Sequence, residues 1–207
     1  MVERNREAVL AAARRVFIDK GYAGATLEAI AEDAGFSKGV MYSQFESKAD
    51  LFLALLEQRI EERARQNEHI VAEYAGLAGL RRMLEVAGED AVAEAAWARV
   101  LVEFRALASR DPHVNARYAA AHARTVQLSA AAFERLFATA ELKPRFPPRA
   151  MAEFGQALAS GVTLEWAANP AALPLEVLSQ MLVDALGFPV PEDTTFAANP
   201  RDPLGAK

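Results

Sequence analysis

Apolar residues recur at steps of three and four along most of the chain, which predicts helices and an all-α fold. The first helix is expected over roughly residues 4–20, ended by Gly21, and a long one is expected to reach about residue 74. The remaining predicted helices cover a short stretch around 80–86 and the ranges 91–109, 114–139, 149–168 and 175–186. Runs of β-branched residues are few, which also favours helices over strands.

Residues 26–48 predict two short helices joined by a tight turn. Thr26 can cap the first helix, and Gly35 follows its last turn, where a left-handed residue commonly ends a helix. Ser37 can cap the second helix. The small side chain of Ala31 allows the two helices to cross closely. This is the geometry of a helix-turn-helix, whose second helix enters the major groove of DNA.

The second of these helices has an inward face and an outward face. Met41 and Phe45 are four residues apart and are expected to face inward. Among the outward residues, Lys38 suits a phosphate or a guanine edge, and Gly39 allows the backbone to approach the duplex. The other candidate DNA contacts are Val40 for a thymine methyl, Tyr42, Ser43 and Gln44 for phosphates or adenine, and Lys48 for a phosphate. The alternative is an ordinary helical hairpin on a protein surface.

The first 55 residues or so resemble the DNA-binding domain of the TetR family of bacterial transcriptional regulators, without a gap. The residues that carry the resemblance are Gly21-Tyr22, Ala25-Thr26-Leu27, Ile30-Ala31, the run from Ala34 to Tyr42, Phe45, Ser47-Lys48 and Leu51. By position, the residues that match family residues holding DNA are Thr26, Ser37, Lys38, Gly39, Tyr42 and Lys48. Val40, Ser43 and Gln44 depart from the residue types frequent in the family.

The resemblance implies a dimeric, ligand-responsive regulator, usually a repressor. Because a two-fold dimer presents two recognition helices to one face of a duplex, its operator is expected to be a palindrome. The implied partners are double-stranded operator DNA, a small and largely apolar effector, and a second copy of the chain.

Composition limits the alternatives. The chain has 207 residues and no cysteine, so it has no disulfide framework, no thiolate chemistry and no cysteine-based zinc site. No metal or cofactor is predicted. No charge-free apolar stretch has transmembrane length, and the N-terminus does not read as a signal peptide, so we expect a cytoplasmic protein without a membrane partner.

Charge is the main objection to DNA binding. The net charge is −5, and the first 55 residues contain seven Lys/Arg against eight Asp/Glu, or 7 − 8 = −1. Binding must then rest on a few placed cations. Arg4 and Arg6 either reach the duplex or form a solvated helix start. With about four phosphate contacts per subunit, the log–log salt slope of a dimer would be about −7.

The predicted organisation has three parts: a helix-turn-helix domain over residues 1–47, a helical effector-binding and dimerisation domain over 48–186, and a flexible proline-containing tail over 187–207. The last two helices each carry an apolar face. Those faces either pack within one chain or, as the resemblance implies, form a four-helix bundle with a second copy.

The effector site is expected among bulky residues of the middle helices, which either form plain core or line a cavity. The candidate residues are Met83, Trp97, Val100, Glu103, Phe104, Tyr118, Phe133, Phe137, Phe154 and Trp166. Glu103 lies in an otherwise apolar stretch. Facing inward, its carboxylate needs a partner or a cationic ligand; facing outward, it is solvated or pairs with Arg99 or Arg105.

Two other classes of function are alternatives to a DNA-binding regulator. The sequence has no Glu-x-x-His pair, no phosphate-binding loop and no GxSxG elbow, so an enzyme is not predicted. A helical small-molecule carrier or adaptor, which uses the cavity without binding DNA, remains the alternative.

Overall fold

The structure is a computed structural model that describes residues 2–138, 144–169 and 172–185. The predicted tail, 187–207, lies outside the described residues. All regular secondary structure in the described residues is helical, as predicted. The helices are α1 (Val2–Gly24), α2 (Leu27–Ala34), α3 (Lys38–Gln44), α4 (Lys48–Glu73), α5 (Gly76–Ala93), α6 (Ala95–Ala108), α7 (Pro112–Ala138), α8 (Pro148–Ala168) and α9 (Leu175–Ala185). None of these helices is long and apolar enough to cross a membrane.

Two boundaries differ from the sequence prediction. α1 does not end at Gly21; it kinks there, with φ 70° and ψ 170°, and continues to Gly24. α5 is longer than predicted, and its break with α6 falls at Glu94 rather than before residue 91. Glu94 forms ion pairs with α1 and α4, so this break is fixed by contacts distant in sequence.

One hydrophobic core joins the N-terminal helices to the middle of the chain. Phe17 of α1, Phe52 of α4 and Phe104 of α6 have almost no exposed surface. The ring centroids of Phe52 and Phe104 are 4.2 Å apart, and those of Phe17 and Phe52 are 5.2 Å apart. Helices on both sides of the predicted boundary after residue 47 therefore share this core, and the boundary itself stays a prediction.

The second half of the chain packs around α7. Its N-terminal half lies against α4, where Asp50 pairs with Arg117 and Glu61 pairs with Arg124. Its C-terminal half buries Leu136 in a smaller cluster with residues of α4 and α5. α7 also packs along α8, so it connects the helix that leaves the helix-turn-helix with the last part of the molecule.

Candidate nucleic-acid interface

The predicted caps of the helix-turn-helix are confirmed. The Thr26 hydroxyl accepts a hydrogen bond from the Ala29 amide at 3.1 Å, and the Ser37 hydroxyl accepts one from Val40 at 3.4 Å. Gly35 ends α2 in the left-handed conformation, with φ 73° and ψ 24°. These local bonds define the turn between α2 and α3, because each satisfies a backbone group that a short helix leaves unpaired.

The inward face of the unit is apolar and buried. Ile30 and Met41 have no exposed surface, and Ala31, which has 2% exposure, separates the crossing helices by only a methyl group. Phe45 follows α3 with its ring buried, and the Arg6 guanidinium lies 5.3 Å from the centroid of that ring. The packing of these residues fixes which side of α3 faces solvent.

The opposite side of α3 is open. Among the nine predicted DNA contacts, six are exposed and three are half-buried. The exposed ones are Thr26, Ser37, Lys38, Gly39, Tyr42 and Ser43, and the half-buried ones are Val40, Gln44 and Lys48. Eight of them lie at the N-terminus of α2 or on α3 and its N-cap, and Lys48 begins α4.

Tyr42 is oriented by an acidic residue that sequence reasoning did not include in the site. Its ring is 51% exposed, and its hydroxyl donates to Glu28 Oε1 at 2.9 Å. The backbone N–H of Glu28 and the Tyr42 hydroxyl lower the pKa of the Glu28 carboxyl, and the same bond raises the pKa of Tyr42. The phenol is therefore held at the surface of the helix-turn-helix by α2.

Lys48 forms hydrogen bonds within the protein, and its predicted contact with a phosphate stays a prediction. Its Nζ donates to the carbonyl oxygens of Tyr22 at 2.7 Å, Ala23 at 3.1 Å and Ala25 at 2.8 Å. An ammonium group has three donors, so all of them are engaged within the protein. Burial lowers the pKa of Lys48, against the opposing effect of the Glu103 charge. Lys48 therefore braces the end of α1 against the start of α4.

Two other cations of the first 55 residues form ion pairs. Arg14 pairs with Glu94 at 2.5 Å and Arg15 pairs with Asp33 at 2.6 Å. Lys38, by contrast, is exposed at the first position of α3 and forms no hydrogen bond or ion pair with any residue that the structure describes. Its charge also acts on Glu28, lowering the pKa of that carboxyl. An exposed cation is of the type that contacts phosphates or base edges, and this contact stays a prediction.

The ten predicted effector residues are not gathered into one site. Trp97, Val100, Phe104 and Tyr118 pack in or against the core shared with α1 and α4. Met83, Phe133 and Phe137 belong to the cluster around Leu136. Phe154 is 48% exposed on α8, and the Trp166 indole N–H donates to the Ala172 carbonyl at 2.6 Å in the connection to α9.

Two grooves lie elsewhere on the described part of the molecule. One, of about 460 Å³, lies between α1 and α2, and the other, of about 440 Å³, lies between the ends of α4 and α7. Neither is lined by any of the ten residues, so an effector cavity between the middle helices stays a prediction.

Glu103 is half-buried and has partners within the protein, which is one of the alternatives that the sequence left open. Its Oε2 accepts from the Tyr22 amide at 2.8 Å and its Oε1 accepts from the Ala23 amide at 2.9 Å. Sequence reasoning missed this because the partners lie about 80 residues earlier and are backbone groups. The available signal was Gly21, whose predicted helix break creates unpaired amides in the residues that follow.

Comparison with known proteins connects these features to a family. A family model described as bacterial regulatory proteins, tetR family, matches residues 9–55, and one described as BetI-type transcriptional repressor, C-terminal, matches residues 76–187. The HTH-type transcriptional activator FasR of Mycolicibacterium smegmatis is 42% identical over 59 residues, 28% of this chain and 27% of FasR. The HTH-type transcriptional repressor AcnR of Corynebacterium glutamicum is 40% identical over 81 residues, 39% of this chain and 41% of AcnR. The matches to these relatives therefore span less than half of their lengths.

Solved structures resemble the chain over nearly its whole length. NalD, the secondary repressor of the MexAB-OprM multidrug efflux pump in Pseudomonas aeruginosa, is 26% identical with a TM-score of 0.59, covering 90% of this chain and 96% of that one. A TetR-family regulator structure from Mesorhizobium loti is 23% identical with a TM-score of 0.69, covering 89% and 95%. The similarity to the Mesorhizobium loti structure concerns the fold alone.

Proposed function

The chain belongs to the TetR family of bacterial transcriptional regulators, and on that premise we propose that it is a repressor that binds a palindromic operator as a homodimer and is released by a small, largely apolar effector. The observation that carries the proposal is the exposed outer edge of α3, which presents Lys38, Gly39 and Tyr42 on a unit whose inner side is fully packed. A carrier or adaptor would not need this edge.

The C-terminal helices support the dimer. α8 and α9 expose large apolar side chains that a lone chain would leave in water, including Phe154 at 48%, Leu164 at 54%, Val177 at 47% and Met181 at 58%. Such a surface is typical of a protein interface. A two-fold interface there places two helix-turn-helix units on one molecule, which gives the operator its two half-sites.

The cluster around Phe133 supports an apolar effector. This ring is half-buried and contacts three small apolar clusters, formed by residues of α4, α5, α7 and α8. Met83 and Phe137 lie in the same region. We place the effector there, because a ligand that separates these small clusters moves fewer packed groups than one that enters the larger core around Phe52.

The test is an electrophoretic shift assay with a duplex from the promoter region beside the chain's own gene. Lys38→Ala should weaken binding about tenfold and reduce the magnitude of the log–log salt slope by about 2, since a dimer loses two phosphate contacts. Lys20→Ala, which removes the same charge from the exposed end of α1, is the control and should bind like the wild type. If the wild type gives no retarded band at low salt, the proposal is wrong.

A second variant separates DNA contact from folding. A methyl group on Gly39 meets only the Ser37 hydroxyl, at 3.9 Å, so the free protein has room for it. Gly39→Ala should raise the free energy of unfolding by about 0.5–1 kcal/mol, because alanine favours a helix. Operator affinity should nevertheless fall about tenfold or more, because the backbone can no longer approach the duplex as closely. Unchanged affinity would show that α3 does not meet DNA at this point.

A further inference from the structure

We propose that Glu103, a residue of α6 outside the DNA-binding helices, positions the helix-turn-helix for operator binding. The proposal rests on the proposed function only in using operator affinity as one of its readouts. Glu103 is a positioning residue in this account, because its two carboxylate oxygens accept hydrogen bonds from backbone amides of the DNA-binding unit and act through that backbone.

The contact is made at the kink of α1. Gly21 adopts φ 70°, which interrupts the helix and leaves the amides that follow it without partners within α1. Glu103 accepts hydrogen bonds from two of them, Tyr22 at 2.8 Å and Ala23 at 2.9 Å. The backbone angle favours glycine at residue 21, and the missing side chain leaves room for the carboxylate, because a Cβ there would lie 2.9 Å from Glu103 Oε2.

Lys48 bonds the same segment from the other side. It binds the carbonyl oxygens of Tyr22, Ala23 and Ala25, while Glu103 binds two of the amides. The Tyr22 ring is also buried and lies 5.0 Å from that of Phe104 on α6. The next residue, Thr26, caps α2. The position at which the helix-turn-helix begins is therefore set by one side chain from α6 and one from α4.

A second carboxylate, near the start of α6, also contacts α1, so the two helices are joined at two points. Glu94 pairs with Arg14 of α1 at 2.5 Å and with Arg59 of α4 at 3.1 Å. Glu94 and Glu103 are nine residues apart, which is about 13 Å along a helix. Because α6 holds α1 near both ends of this span, a shift of α6 is transmitted to the start of α2, and an effector that moves α6 changes how α3 is presented.

The experiment compares Glu103→Gln with the wild type in the full chain. Glutamine has nearly the same size, but its NH₂ group cannot accept from an amide, so one of the two bonds is lost. Hydrogen exchange at Tyr22 and Ala23 should become at least about tenfold faster, and affinity for the promoter duplex should fall about tenfold. Circular dichroism should show the wild-type helix content.

Two controls isolate the positioning role. Glu134→Gln removes the same charge from an exposed site on α7 and should leave exchange and affinity unchanged. Ala120→Gly, which lowers helix propensity at an exposed position of α7, should destabilise the chain and leave operator affinity at the wild-type value. If Ala120→Gly weakens operator binding as much as Glu103→Gln at matched stability, Glu103 acts through stability alone and the proposal is wrong.

Glu103→Asp keeps the charge but shortens the side chain by one methylene. If the two amide bonds position the helix-turn-helix, Glu103→Asp should show the same faster exchange and weaker operator binding as Glu103→Gln. If the glutamine variant fails to fold, Glu103→Asp tests the proposal in its place. Wild-type exchange rates at Tyr22 and Ala23 in both variants would overturn the proposal. If the wild type itself binds no DNA, the proposed function fails, while the exchange rates still test the contact.

Discussion

His122 of α7 lies in a polar cluster between three helices. Its ring is half-buried, with its centroid 6.0 Å from that of Tyr118. The Arg105 guanidinium lies 5.5 Å from the centroid of the Tyr118 ring and donates a hydrogen bond to the Ser160 hydroxyl at 2.7 Å. Burial lowers the pKa of His122, as does the Arg105 charge, against the opposing effect of Glu153. The neutral imidazole is therefore the favoured form in the folded chain.

A pH dependence of stability follows. Because the folded pKa is below the ordinary value of about 6.5, the unfolded chain takes up the proton first as the pH falls. The stabilisation is complete above about pH 6.5 and is lost as the pH falls from there through the folded pKa. Urea unfolding between pH 7.5 and 5 should show a steeper loss for the wild type than for His122→Gln. The exposed site His113→Gln serves as the control, and identical slopes for the wild type and His122→Gln would contradict this account.

Single residues also show what a sequence can predict. Thr26, Gly35 and Ser37 bond to groups three or four residues away, so their roles could be predicted from spacing alone. Lys48 and Glu103 bond to backbone groups some 25 and 80 residues away. Nothing in their local sequence specifies those partners. The phosphate contact predicted for Lys48 and the effector contact considered for Glu103 rest on residue type and stay predictions.

Among the helices, α5 and α7 are in close contact at Gly79. A Cβ on Gly79 would lie 2.2 Å from Leu136 Cδ2 and 3.3 Å from Tyr74 Cβ. Leu136 has no exposed surface, so it has little room to move. The glycine thus allows the end of α4, the start of α5 and the end of α7 to meet, and the region proposed for the effector lies beside this contact.

Gly79→Ala should destabilise the chain by about 1–2 kcal/mol, because overpacking exceeds the gain of up to about 1 kcal/mol from helix propensity. Gly155→Ala on α8 is a matched control, since a methyl group there meets nothing within 4 Å. It should stabilise the chain by about 0.5–1 kcal/mol. Thermal or urea unfolding of the two variants gives opposite shifts if the close contact exists, and shifts of the same sign if it does not.

Helix boundaries, like the roles of single residues, were predictable where nearby residues set them and not where distant residues do. Periodicity predicted α7, α8 and α9 to within about two residues, because each has a continuous apolar stripe and a proline near its start. The break between α5 and α6 was misplaced, since its position is set by Glu94 and its partners Arg14 and Arg59. Elements bounded by local signals were predictable, and those bounded by ion pairs across the fold were not.

For the whole molecule, the exposed apolar surface of α8 and α9 predicts association. A double variant, Leu164→Glu with Met181→Glu, should give a monomer in sedimentation velocity, because it places charges in the centre of a buried interface. It should also lose most operator affinity, since one unit contacts only one half-site. Leu107→Glu, at an apolar residue of α6 with 40% exposure, is the control and should stay a dimer. A double variant that remains dimeric would place the interface elsewhere.

The aromatic core shared by α1, α4 and α6 has a consequence for protein engineering. Chimeric regulators are made by fusing the DNA-binding unit of one protein, here called the reader, to the effector-binding unit of another, here called the sensor. Here the reader's Phe17 and Tyr22 pack against Phe52 and Phe104, and Glu103 bonds the reader's backbone. A cut at residue 47 would expose that packing on both pieces. A functional graft from this chain must therefore carry the matching face of α6 with the reader, or rebuild it on the new sensor.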